Sequence, residues 1–166
     1  LAGKGTLALS KHDFATADSR YGEALGLARS KKNEFVAANV SGNLGVSAML
    51  QQHYDEAIDW FTLTLAIAQA RKNPTQVQRT LGNLGWCYYQ VGDYERALLN
   101  FEEAEKASVE LGLLGDQLKW LNNIGLIHYQ RRQYSRADEY YQQALAIAKK
   151  LESKSLDAIV LNDVSQ

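Results

Sequence analysis

One cysteine and one proline in 166 residues set the first limits on this chain. With Cys87 alone, no disulfide can close within the chain and no cysteine cluster can hold a metal. A reducing, cytoplasmic setting is the corresponding expectation. The single proline, Pro74, leaves long stretches with nothing to interrupt a helix, and the supply of Ala, Leu, Gln and Glu favours helix over strand. No run of about 18 apolar residues occurs, so no membrane-spanning helix is expected. The N-terminus also lacks the charged-then-apolar layout of a signal peptide. Charge of one sign is equally scarce: the net charge is -1, without the basic runs that mark a nucleic-acid binder. The 46% apolar fraction fits an ordinary globular domain. These limits point to an all-α chain whose partners are proteins, not nucleic acid or membrane.

What is present is repetition. Gly5, Gly45, Gly85 and Gly125 are spaced by 40 residues, as are Phe14, Tyr54, Tyr94 and Tyr134. The same period carries Ala17, Ala57, Ala97 and Ala137, then Tyr21, Phe61, Phe101 and Tyr141, then Ala24, Thr64, Ala104 and Ala144. Within one copy, Tyr54, Ala57, Phe61 and Leu65 stand three and four residues apart, which places them on one buried helical face. Helix starts are marked by Asp13, Asp93 and Asn73-Pro74, where a capping side chain or a proline in the first turn suits the free N–H groups. Cations at 31–32, 71–72 and 149–150 suit the negative ends of helices. The pattern predicts helices near 14–31, 34–51, 54–72, 74–91, 94–111, 115–131 and 134–152.

The third copy, LGNLGWCYYQVGDYERALLNF, with Leu84-Gly85, Tyr88, Ala97 and Phe101, resembles the tetratricopeptide repeat signature. The period is 40 and not the family's usual 34. Ser41, Leu81 and Leu121 replace the signature tryptophan, and the closing proline is absent. The longer variety, with NLG or NIG, is similar to the arrays of G-protein signalling modulator adaptors, kinesin light chains and bacterial sensor proteins. The resemblance implies a right-handed superhelical solenoid of antiparallel helix hairpins, with about four repeats. On this reading the chain is one array cut inside a repeat at both ends: 1–33 in part, 34–73, 74–113, 114–153, and 154–166 in part. Neither end has the polar face of a capping repeat, so Ile159, Val160 and Val164 are expected partly exposed and end-to-end self-association is expected.

Each glycine within a helix costs roughly 0.8–1 kcal/mol relative to alanine, so the column needs a compensating reason. The expected reason is close helix crossing, the glycines meeting the small alanines such as Ala57 and Ala97. Gly85→Leu is accordingly expected to destabilise by overpacking.

The resemblance also implies that the first helix of each hairpin lines a concave groove that holds an extended peptide. Projected onto this chain, the groove carries Asn43, Asn83 and Asn123, preceded by Asn122 in the last copy. One turn earlier stand Asn39, Arg79 and Lys119, and further along come Trp86 with Tyr89, and Tyr129. Asparagine offers a donor pair and an acceptor, so a row of them can pair with successive peptide groups. The basic residues suit carboxylates and the aromatic ones apolar side chains, so the ligand expected is mildly acidic and apolar. The same asparagines have a second possible role, as hydrogen bonds between neighbouring hairpins. A grip on a C-terminal carboxylate, used by some members of the family, is matched in part by Asn43 and Arg79 but not by Ala2 and Thr6 or Gly42 and Val46. Trp60 and Trp120 read as packing residues.

The function expected is a protein-binding scaffold and not an enzyme. The alternative is a regulatory or sensor array of a larger enzyme or signalling protein. No nucleophile–base pair is visible, and Glu102, Glu103 and Glu105 read as a solvated helix face. His12, His53 and His128 fall on separate repeats, so no metal is expected, and no cofactor is implied. Gly3-Lys4-Gly5-Thr6 lacks the spacing of a phosphate loop.

Overall fold

Each of the six helices between Phe14 and Gln130 has 17 residues, and each is followed by three residues that turn the chain back. A computed structural model describes the backbone of residues 1–164 and the side chains of residues 1–152. The order is α1 (Ala2–Ser10), α2 (Phe14–Ser30), α3 (Glu34–Leu50), α4 (Tyr54–Ala70), α5 (Pro74–Gln90), α6 (Tyr94–Glu110), α7 (Leu114–Gln130) and α8 (Tyr134–Val164). Among the described residues the fold is all-α, and no helix is long and apolar enough to cross a membrane. The predicted boundaries hold within two residues except at the end. There α8 runs through the expected stop near 152, so Lys149 and Lys150 lie within a helix and not at its C-terminus. Residues 152–154, Glu-Ser-Lys, supply no glycine or asparagine to stop it. The side chains of Ile159, Val160 and Val164 fall outside those described.

The turns share one geometry. The middle residue is left-handed at His12, Lys32, Gln52, Lys72, Gly92, Gly112 and Arg132, with φ between 51° and 82°. Only two of the seven are glycine, the residue that adopts this conformation without penalty. In the turn after α3, the Gln52 N–H donates to Met49 O at 3.1 Å and the His53 N–H to Ala48 O at 2.9 Å, which satisfies the last carbonyls of the helix. Asp13, Asn33, Asn73 and Asp93 then cap the next helix, accepting from the N–H of Thr16, Val36, Gln76 and Arg96 at 3.0–3.2 Å. His53 and Leu113 cap nothing through their side chains.

The chain divides into two compact units, Leu1–Asn100 and Phe101–Gln166. In the first, α2 and α4 both pack on α3, and α5 packs on α4. Its core joins Tyr21, Leu25, Val40 and Leu44 in one cluster and Ala48, Ala57, Phe61, Leu84 and Cys87 in another. Trp60 packs against both, as the sequence suggested. In the second unit α7 packs on α8, and Trp120 is buried with its ring stacked on Phe101 at 5.9 Å.

At three positions of the glycine column the neighbouring space is taken by rings and not by the alanines expected. A Cβ placed on Gly5, Gly45 or Gly125 would lie 2.7 Å from a ring carbon of Tyr21, Phe61 or Tyr141. The aromatic side chain of the second helix fills the space that a side chain on the first would need. The alanines at 17, 57, 97 and 137 are buried, at 2% exposure or less, but they do not occupy that space.

Candidate functional site

On α3, residues 39, 42, 43 and 46 stand at offsets of three, four and seven, and therefore share one face. On α5, residues 76, 79, 80 and 83 repeat the spacing. These two stripes lie either side of a cavity of about 340 Å³, whose remaining lining is Phe61 and Thr64 of α4. Four of the residues expected in the groove, Asn39, Asn43, Arg79 and Asn83, thus meet at one place within the first unit.

Their roles differ. Gln76 Nε2 donates to Asn39 Oδ1 at 3.3 Å, so Asn39 ties α3 to α5, a bridging role that the sequence offered to Asn43, Asn83 and Asn123 and not to Asn39. One turn further on, Asn43 and Asn83 make no side-chain hydrogen bond among the described residues. Arg79 is exposed and has no ion-pair partner there, so a single positive charge stands beside several amides in an otherwise neutral lining. Below them Ser41 and Thr64 share a buried hydrogen bond of 2.8 Å, and the Thr64 hydroxyl donates to Trp60 O at 2.8 Å. Thr64 departs from the alanine of the other copies, and it gives the cavity floor a polar edge.

Trp86 and Tyr89 lie further along α5 and outside this lining. They stack at 5.5 Å, and Tyr89 meets Tyr94 at 5.6 Å. In the second unit, Lys119 lies with its ammonium 4.4 Å over the Trp120 ring, Asn122 is exposed and Asn123 half-buried. Tyr129 is exposed and meets Tyr134 at 5.4 Å. Lys119 therefore already lies over a ring, where the expectation was a carboxylate to hold.

Two groups that could react, Cys87 and His128, are buried. Burial pushes the Cys87 thiol up to about 12, which keeps it protonated at neutral pH. His128 is buried, bonded through Nδ1 to Gln133 Oε1 at 2.7 Å and stacked on Tyr140 at 5.2 Å. Among the described residues no group of three or more His, Cys, Asp or Glu side chains is placed to hold a metal.

Comparison with known proteins fits this geometry. Family models described as tetratricopeptide repeat match residues 36–108 and 118–154. The chain belongs to the tetratricopeptide repeat family. A curated relative, the chloroplastic protein FLUORESCENT IN BLUE LIGHT of Arabidopsis thaliana, is 32% identical over 74 residues. That match spans 45% of this chain and 23% of the relative. Among solved structures, the apo form of RapI superposes with a TM-score of 0.85 at 16% identity, over 95% of this chain and 57% of RapI. The Rap conjugation gene regulator of the plasmid pLS20, solved in complex with the Phr* peptide, gives 0.73 at 20% identity, over 87% of this chain and 40% of its own. At these identities the structural likeness speaks for the fold of the tetratricopeptide array.

The sequence missed Gln76, Thr80, Phe61 and Thr64. Gln76 was within reach, because it precedes Asn83 by seven residues and so shares its face. Phe61 and Thr64 were not, since they reach the cavity only through the way α4 packs between α3 and α5.

Proposed function

We propose that this chain is a protein-interaction module that holds an extended, mildly acidic segment of a partner protein at the cavity between α3 and α5. The observation that carries the reading is the convergence of Asn43, Asn83 and Arg79 on one cavity with their hydrogen-bonding capacity unspent. Each asparagine can donate to a peptide carbonyl and accept from a peptide N–H, while Arg79 draws a carboxylate toward the same opening. The lining contains no paired carboxylates and no nucleophile beside a base, which supports binding and not catalysis. The Phr* complex of a structural neighbour supports a peptide as the class of ligand. The aromatic pair Trp86–Tyr89 belongs to the proposal as a further contact within the first unit, and Lys119, Asn122, Asn123 and Tyr129 are proposed as contacts of the second unit, taken by itself.

Panning a peptide library against the chain tests it. Enriched peptides should bind Asn43→Ala/Asn83→Ala at least tenfold more weakly, with the variant still melting cooperatively. Unchanged affinity in the folded double variant would remove the cavity from the function. A second reading, a regulatory array acting on another domain of a longer polypeptide, is favoured by the small share of FLUORESCENT IN BLUE LIGHT and of the Rap regulator that the match covers.

A further inference from the structure

A second opening in the first unit lies away from the α3–α5 cavity. Helices α2 and α4 both pack on α3 and leave a space of about 370 Å³ between them. Leu25, Ala28, Ala37, Leu63 and Ile67 supply its apolar wall. The volume falls within the range of about 300–1,000 Å³ typical of ligand pockets. Its rim is cationic. Arg29 and Lys32 line the space, and Lys31, Arg71 and Lys72 stand on the two turns at the same ends of α2 and α4. The Arg71 guanidinium lies 5.5 Å over the exposed Phe35 ring, which joins the turn after α4 to the start of α3. Among the described residues none of these five cations has an ion-pair partner, and Glu34 is the one carboxylate in the lining.

Closeness to the negative ends of α2 and α4 suits such charges. It does not account for an apolar cavity framed by them, nor for lysine at both left-handed turn positions, 32 and 72, where glycine would sit without strain. In a chain of net charge -1, the local excess of cations marks out the surface that attracts an anion.

We propose that this edge of the first unit is a second docking surface, independent of the α3–α5 cavity, for an acidic segment of a partner protein that seats an aliphatic or aromatic side chain between α2 and α4 while its carboxylates meet Arg29, Lys32 and Arg71. Charge complementarity selects the occupant: a purely apolar segment would leave the rim unused, and a purely acidic one would leave the cavity empty.

Library panning against the full chain is expected to enrich, beside any ligand of the other cavity, sequences in which Asp or Glu flanks Leu, Ile or Phe. A synthetic peptide of that class should bind Arg29→Glu/Lys32→Glu at least tenfold more weakly at low salt, with a flattened salt dependence, and bind Asn43→Ala/Asn83→Ala as it binds the parent. If the charge reversal lowers the melting temperature, Arg29→Gln/Lys32→Gln replaces it, with a loss of at least threefold expected. Absence of acidic–apolar sequences overturns the proposal, as does affinity indifferent to both charge variants. Loss of binding in the asparagine variant moves the peptide to the other cavity and equally overturns it. So does binding to phosphatidylserine–phosphatidylcholine vesicles without binding to any such peptide.

Discussion

Gly45 and Gly125 make the same contact in two different settings. Each lies under an aromatic ring of the following helix, and a Cβ on either would come within 2.7 Å of it. Phe61, over Gly45, is 1% exposed and held by the cluster that joins α3, α4 and α5. Tyr141, over Gly125, is 36% exposed. The lesson is that a repeated sequence column fixes a contact but not its energetic weight, which depends on what stands on the far side of the ring.

Several substitutions sharpen this contrast. The largest effect is expected from Phe61→Ala, about 3–5 kcal/mol for a buried aromatic, against no more than about half that for the partly exposed Tyr141→Ala. Denaturant titration of each variant measures both, and equal losses would break the comparison. Next, Gly45→Ala should destabilise by about 1–3 kcal/mol because the buried ring has nowhere to move. At Gly125 the clash falls on the partly exposed Tyr141 ring and not on a fully buried one, and the gain in helix propensity of about 1 kcal/mol offsets part of it. Gly125→Ala is therefore expected to melt within a few degrees of the parent.

A smaller effect is expected at the polar pair beneath the α3–α4 hairpin, where the fourth copy has Leu121 and Ala144 in the places of Ser41 and Thr64. Ser41→Ala alone should cost about 1 kcal/mol, since Thr64 loses a buried partner. Ser41→Leu/Thr64→Ala, which imports the apolar pair, should cost less than the two single changes added together, and a double-variant cycle by thermal melting measures the difference. The smallest effect is a pH dependence at the start of α2. The hydrogen bonds from Thr16 hold the Asp13 carboxyl below its usual value. Its contribution is therefore present above the unfolded value and lost as pH falls through the lowered one. Asp13→Asn keeps a cap and should flatten that acid limb of the stability profile.

The sequence disclosed the fold because one period runs through five columns, and helix starts followed from Asp13, Asn73 and Asp93. It did not disclose why the glycines are there. Ring-on-backbone contact and alanine-on-backbone contact leave the same trace, a small residue every 40 positions. The left-handed turn residues were also hidden, because lysine, glutamine, histidine and arginine occupy most of them. Asn39, Asn43, Arg79 and Asn83 were legible as a face of two helices, and the structure brings them to one cavity. The bridging role of Asn39 was not legible, since it depends on Gln76 reaching across from the next hairpin.

The constant 17-residue helix with its three-residue turn has a consequence for how such a chain can change length. One residue added inside α3 would rotate everything beyond it by about 100° and carry the bare glycine away from its ring. Removing 20 residues would exchange the helix that offers the glycine with the helix that offers the aromatic. Removing 40 restores every column. Length in this molecule is therefore quantised: whole hairpins can be gained or lost, while anything shorter must fall in a turn and break its geometry.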